Sequence, residues 1–198
     1  SEFSFRVFRF KHFRWAVIAQ FFYVGAQVGV GSFFIRFSKY TMNIGEKEAA
    51  YMWGSIAMVG FMAGRFVGTF LMRYFKPAAL LSVYALINIA LLAVAIMSKG
   101  SVAVYAMMAV PFFMSIMFPT IFALGIDGLG EESKIASSFI VMSIVGGALF
   151  PVLMGQLSDA NGGNIQLAYI VPLICFAVIA YYGATQLKKA AVKVTAAH

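Results

Sequence analysis

Charge is what this sequence has least of. Only 11% of its 198 residues are Asp, Glu, Lys or Arg, and seven are acidic. Hydrophobic residues make up 62%, and the mean hydropathy is +0.89. A soluble domain of this length has too little interior to hide so much apolar surface, so lipid is the solvent of the folded chain. Cysteine occurs once, at Cys175, and histidine twice, at His12 and His198. That excludes an intrachain disulfide and a Cys/His metal cluster. Short alternating strands are lacking, which excludes a transmembrane barrel. There is no phosphate-cradling loop, no His-Glu-x-x-His and no Ser/His pair at depth. Nucleotide binding and membrane-embedded enzymology therefore find no support, and no cofactor or metal is expected. The net charge of +8 reads as membrane orientation and headgroup contact, with no nucleic acid as partner.

What is present is a series of long apolar runs. The first, Phe13 to Ser38, would be a helix about 39 Å long, enough to cross a hydrocarbon core of roughly 30 Å with some tilt. Near its middle sits Gln27, an uncharged amide that at bilayer depth has to face protein or a wet cavity. Five further runs follow, giving expected spans at 13–38, 49–72, 78–97, 102–126, 135–157 and 165–187. The second carries Gly60, Gly64 and Gly68. Their spacing of four stacks them on one face, where a neighbouring backbone can approach. Arg65 lies beside that face near the exit of the span. The third span carries Asn88, read as interhelical glue. The fourth is interrupted by Pro111 and Pro119, each of which removes a helical hydrogen bond and is expected to bend it. Ser137, Ser138 and Ser143 in the fifth are expected to bond carbonyls of their own helix.

Residues 1–12 are basic and aromatic and lack the features of a signal peptide. They read as a cytoplasmic segment on the membrane surface, Phe toward lipid and Arg toward phosphates. Residues 188–198 form a basic tail. With six spans both termini share one side. Eleven of the 15 Lys and Arg residues then fall on that side and four (Arg36, Lys39, Lys47 and Lys99) on the other, which makes the termini cytoplasmic. Every acidic residue falls in a loop or at an end, as do both histidines. A proton-coupled carrier needs a titrating group at depth, so this chain alone is either passive or partnered by a segment that supplies one.

Several runs carry a family resemblance: Arg14-Trp15-Ala16-Val17, Tyr23 to Gln27, Gly64-Arg65-Phe66 with Gly68-Thr69, Phe113 to Ile116, Pro119-Thr120-Ile121-Phe122, Ser137 to Met142, and Ser158-Asp159-Ala160. In order and spacing they resemble the C-terminal half of the fucose–galactose–glucose:proton symporter branch of the major facilitator superfamily. The resemblance implies an all-α transmembrane fold: a six-helix half built of two inverted three-helix repeats. It implies a bacterial inner-membrane location and proton-coupled uptake of a monosaccharide by alternating access. It also implies an N-terminal six-helix half as partner, carrying the proton-binding acids. By the same analogy the first and fourth spans line the central cavity, the second and fifth flank it, and the third and sixth pack outside.

The substrate-binding candidates are Gln27, as ligand to a sugar hydroxyl, Phe118, as a stacking platform, and Tyr23, as a further hydroxyl on the face of Gln27. Fucose-transporting members have a tyrosine where Phe118 stands, and some relatives have an acid where Gln27 stands. Gly60, Gly64, Gly68, Arg65, Pro111 and Pro119 are gating or packing candidates. Arg65 resembles part of the superfamily's cytoplasmic gate motif without its acid, against the plainer reading that it snorkels to headgroups. A competing reading takes the chain as a stand-alone six-helix channel or scaffold that oligomerises through the Gly60/Gly64/Gly68 face.

Overall fold

The structure is a computed structural model that describes residues 5–188. Lys189, Lys193, His198 and the rest of the basic tail lie outside the described residues, as does Glu2. The described chain is helical. A 3-10 turn at Phe5–Arg9 leads into α1 (Lys11–Ser32) and α2 (Phe34–Met42). Then come α3 (Glu46–Leu71), α4 (Pro77–Met97), α5 (Gly100–Ile126), α6 (Gly130–Ala160) and α7 (Ile165–Thr185). The last five are each long and apolar enough to cross a membrane. A sixth crossing is obtained if α1 and α2, bent by 50° between them, count as one.

That bend departs from the single straight helix expected over 13–38. Helical geometry is lost at Phe33, where the sequence changes character. Phe34, Phe37, Ser38 and Thr41 of α2 are buried, whereas Ile35, Arg36, Lys39 and Tyr40 are exposed. A two-faced segment with two cations sits better along an interface than through hydrocarbon. Asn43, at a φ of 54°, closes it.

Four of the longer helices are also interrupted, α6 by a 3-10 turn at Ser143–Val145. Trp53–Ala57 is a π turn within α3. The break in α5 falls at Ser115–Ile116, between Gly100–Met114 and Met117–Ile126. Pro119 explains its place: it has no N–H for the carbonyl four residues back, which is that of Ser115. Pro172 stands in the same relation to Ala168, where α7 is interrupted before Ile170. Pro111, by contrast, lies inside an unbroken helix, so of the two prolines expected to interrupt this span only Pro119 does.

α1 is the hub. It packs against the second part of α5, against α6 and against α7, while α4 packs on α5 and α7. Lipid is as apolar as the core, so this packing is held by close contact and hydrogen bonds more than by a hydrophobic driving force. Of the five long helices, α3 and α6 are the least buried.

The N-terminal segment differs from expectation. Phe5 is exposed, but Val7 is fully buried with Phe13, Ala136 and Ile140. Phe8 meets Phe13 at 5.4 Å and Phe139 at 4.8 Å. These rings dock the segment on the bundle because Phe13, near the start of α1, and Phe139 of α6 offer an aromatic seat.

Candidate functional site

The break in α5 frees carbonyl oxygens at bilayer depth, where each needs a donor. Neighbouring side chains supply them. Arg65 donates from Nε and Nη2 to the Ser115 carbonyl, both at 3.1 Å. Tyr23 donates its hydroxyl to the Met114 carbonyl at 3.3 Å, and Gln20 donates Nε2 to the Phe118 carbonyl at 3.1 Å. Ser115 closes the set with its own hydroxyl on the Phe112 carbonyl at 2.7 Å. The irregular turn is thereby fixed from α1 and α3, and with it the position of Phe118.

Phe118 and Gln27 line one open cavity of about 560 Å³, together with Val24, Val28, Gly31, Ser32 and Ile144. Its walls come from α1, α5 and α6. Gln27 is exposed and Phe118 half-buried. The wall is mostly apolar, with an amide, a hydroxyl and one aromatic ring. Such a surface suits a small neutral polyol, whose hydroxyls pair with the amide while its C–H face lies on the ring. No carboxylate or histidine is among the lining residues.

Tyr23 is not where its spacing from Gln27 placed it. It is 1% exposed, its proton is committed to Met114, and its ring lies 6.3 Å from that of Phe118. It supports Phe118 from beneath and does not line the cavity. The four-residue offset leaves the two residues near one face, and packing against α5 covers only the first.

Among the described residues Arg65 forms no ion pair. It is partly buried, bound to Ser115 and stacked over Phe61 at 5.4 Å. The ion pair found among the described residues joins Arg9 to Glu132 at 3.7 Å. The orphan carbonyl that Pro119 creates attracts the guanidinium inward.

The glycine seam has two members. A Cβ on Gly64 would fall on the Phe112 carbonyl oxygen and one on Gly68 on the Ile116 side chain, whereas one on Gly60 would meet open space. Gly64 and Gly68 are thus already used against α5, and the three-glycine face on which the competing reading relies for self-association is not free. Ser137, Ser138 and Ser143 donate to the carbonyls of Ser133, Lys134 and Ile140 in their own helix. Asn88 is fully buried, yet neither side-chain polar atom has a partner among the described residues. It does not act as the interhelical glue expected of it.

Sequence reasoning missed Gln20. It is fully buried and reaches the carbonyl of Phe118 itself. Its signal was an amide inside an apolar run, two turns before Gln27, which at depth needs a hydrogen-bond partner on a neighbouring helix.

No protein-family model matches the chain. Its curated relatives include the L-fucose-proton symporter of Escherichia coli (strain K12), 46% identical over 177 residues, which is 88% of this chain and 40% of that protein. The glucose/galactose transporter of Brucella abortus biovar 1 is 40% identical over 181 residues, 88% of this chain and 42% of that one. The chain therefore spans about two fifths of these relatives' length. Among solved structures, the major facilitator superfamily transporter FucP in its outward conformation matches with a TM-score of 0.89 at 43% identity, covering 93% of this chain and 44% of that one. A point variant of FucP gives the same TM-score at 42% identity, covering 94% and 47%. These relatives are transporters, not enzymes. In sequence and in fold the chain is the counterpart of the C-terminal, six-helix half of an L-fucose-proton-symporter-like transporter of the major facilitator superfamily.

Proposed function

We propose that this chain is the C-terminal half of a secondary carrier that takes up a monosaccharide with protons by alternating access. The substrate is fucose, galactose, glucose or a related hexose, bound in the cavity of Gln27 and Phe118. The observation that carries this reading is that an amide and an aromatic ring, on different helices, converge on one open cavity. Gln27 offers a donor and an acceptor to a sugar hydroxyl, and Phe118 offers a face. Relatives of similar sequence are named for fucose and for glucose/galactose.

Protons are the coupling ion, and the acids that carry them lie on an N-terminal six-helix partner. Two observations support that assignment. The cavity lining contains no titratable group. α3 and α6 both leave large apolar side chains exposed, among them Val59, Met62, Phe66 and Phe70 on one and Val145, Leu149 and Val152 on the other. Those faces suit a second bundle. The carrier lies in the bacterial inner membrane with both termini cytoplasmic, as the excess of Lys and Arg on that side requires.

The test is uptake of radiolabelled monosaccharide by the full-length carrier in cells, with unlabelled sugars competing and a protonophore as control. Competition by one hexose class and collapse of uptake with the protonophore are expected. Uptake that persists at full level with the protonophore would remove proton coupling, and absence of competition by any monosaccharide would remove the substrate class.

A further inference from the structure

Where α1 begins and α7 ends there is a second cavity, of about 480 Å³. It differs in kind from the sugar site. Arg9, Lys11 and His12 supply basic groups, Trp15 and Tyr181 supply rings, and Gln186 supplies an amide. The docked N-terminal turn brings Arg9, and the start of α1 brings Lys11 and His12, to the end of α7. The rings of Trp15 and Tyr181 lie edge to face, 6.3 Å apart, and join the two helices. Both are exposed, and so are Ile18, one turn further into α1, and Ile174, two turns back along α7. An apolar track therefore leads from the cavity along the outside of the bundle.

Two observations point to a ligand. Lys11 makes no hydrogen bond or ion pair among the described residues, and it is exposed beside Arg9, whose contact with Glu132 is long. Gln186 is only 5% exposed and its Nε2 donates to Thr185 at 3.2 Å, but its Oε1 has no donor among the described residues. A buried acceptor without a partner, in the wall of a basic cavity, asks for a molecule that carries negative charge and a hydrogen-bond donor together.

We propose that this cavity holds the headgroup of an anionic phospholipid with hydroxyl donors, of the phosphatidylglycerol type. The phosphodiester lies with Arg9 and Lys11, a rotation of the Gln186 amide, whose Oε1 is enclosed in the wall, brings that oxygen to a headgroup hydroxyl, and the acyl chains follow Trp15, Ile18, Ile174 and Tyr181. Tryptophan and tyrosine at the boundary of apolar helices mark headgroup depth, and basic pockets between helices at that depth take anionic lipid. A choline headgroup has no donor for Gln186, and its cation opposes Lys11. Free phosphate would satisfy the cations but leave the apolar track unused.

Native mass spectrometry of the full-length carrier tests this by counting lipids retained after exchange into detergent with phosphatidylglycerol, phosphatidylethanolamine or phosphatidylcholine. The readout needs no sugar, so it stands or falls apart from the transport reading. A phosphatidylglycerol adduct is expected to survive where the other two wash off. Lys11→Gln should lower its occupancy about fivefold, the worth of one basic residue at an anionic surface. Gln186→Leu should lower it as well. Lys11 is exposed, so its variant leaves the fold intact, and an unchanged melting temperature verifies that. Equal retention of all three lipids, or unchanged occupancy in the folded Lys11→Gln variant, would overturn the proposal. Displacement of the adduct by millimolar inorganic phosphate would overturn the lipid as its source.

Discussion

Four residues separate Tyr23 from Gln27 on α1, yet one hydroxyl is spent inside the bundle and the other side chain is open to a cavity. Tyr23→Phe removes a single buried hydrogen bond to Met114. It should cost about 0.5–1.5 kcal/mol of stability, read as a lower melting temperature, with sugar affinity nearly unchanged. Phe118→Tyr returns a hydroxyl to the ring that faces the cavity. It should raise affinity for L-fucose relative to galactose in competition binding, because the family resemblance implies a tyrosine at this place in fucose carriers. A preference that does not move would show that the ring's edge does not meet the sugar. Gln27 was legible in the sequence because an amide deep in an apolar run is costly and therefore informative. Phe118 was not legible from the residues alone, since phenylalanine occurs 21 times and only the runs around it set it apart. Tyr23 misled because helical spacing gives a face but not how much of that face a neighbour covers.

At the scale of elements, α5 is held in two pieces by side chains from α1 and α3. Pro119 could be read as an interruption, but the donors to the freed carbonyls could not, because they lie 50 to 98 positions away in sequence. Arg65→Met takes both N–H groups from the Ser115 carbonyl and should destabilise the carrier by about 1–3 kcal/mol. It should also loosen Phe118, seen as a weaker sugar affinity that Arg65→Lys restores in part. Gly64→Val should cost a similar amount, about 1–3 kcal/mol, through overpacking against the Phe112 backbone. Gly60→Val, facing open space, should stay within about 0.5 kcal/mol. Equal effects of the two valines on melting temperature would contradict the two-member seam. The places of α3 to α7 correspond to apolar runs between polar turns, with α6 extending past the expected 135–157 at both ends. The bend at Phe33 was not legible, because the run stays apolar through it and only the two-faced pattern of α2 distinguishes the pieces.

At the scale of the molecule, the bundle leaves α3 and α6 thinly covered and places the cavity of Gln27 and Phe118 between α1, α5 and α6. Those features fit one wall of a carrier whose opposite wall is another bundle. The membrane class followed from composition and the six apolar runs from their order in the sequence, whereas the proposed partner half rests on resemblance, since an exposed apolar face reads the same against lipid as against protein. The central claim is that the cavity of Gln27 and Phe118 receives the sugar. Titration calorimetry of the full-length carrier with its transported monosaccharide tests it directly, comparing the unmodified protein with the Gln27→Ala, Phe118→Ala double variant. Loss of one hydrogen bond and one stacking face should weaken binding at least about tenfold, equivalent to 1.4 kcal/mol, with the melting temperature preserved. A folded double variant that binds the sugar as tightly as the unmodified carrier would place the substrate elsewhere.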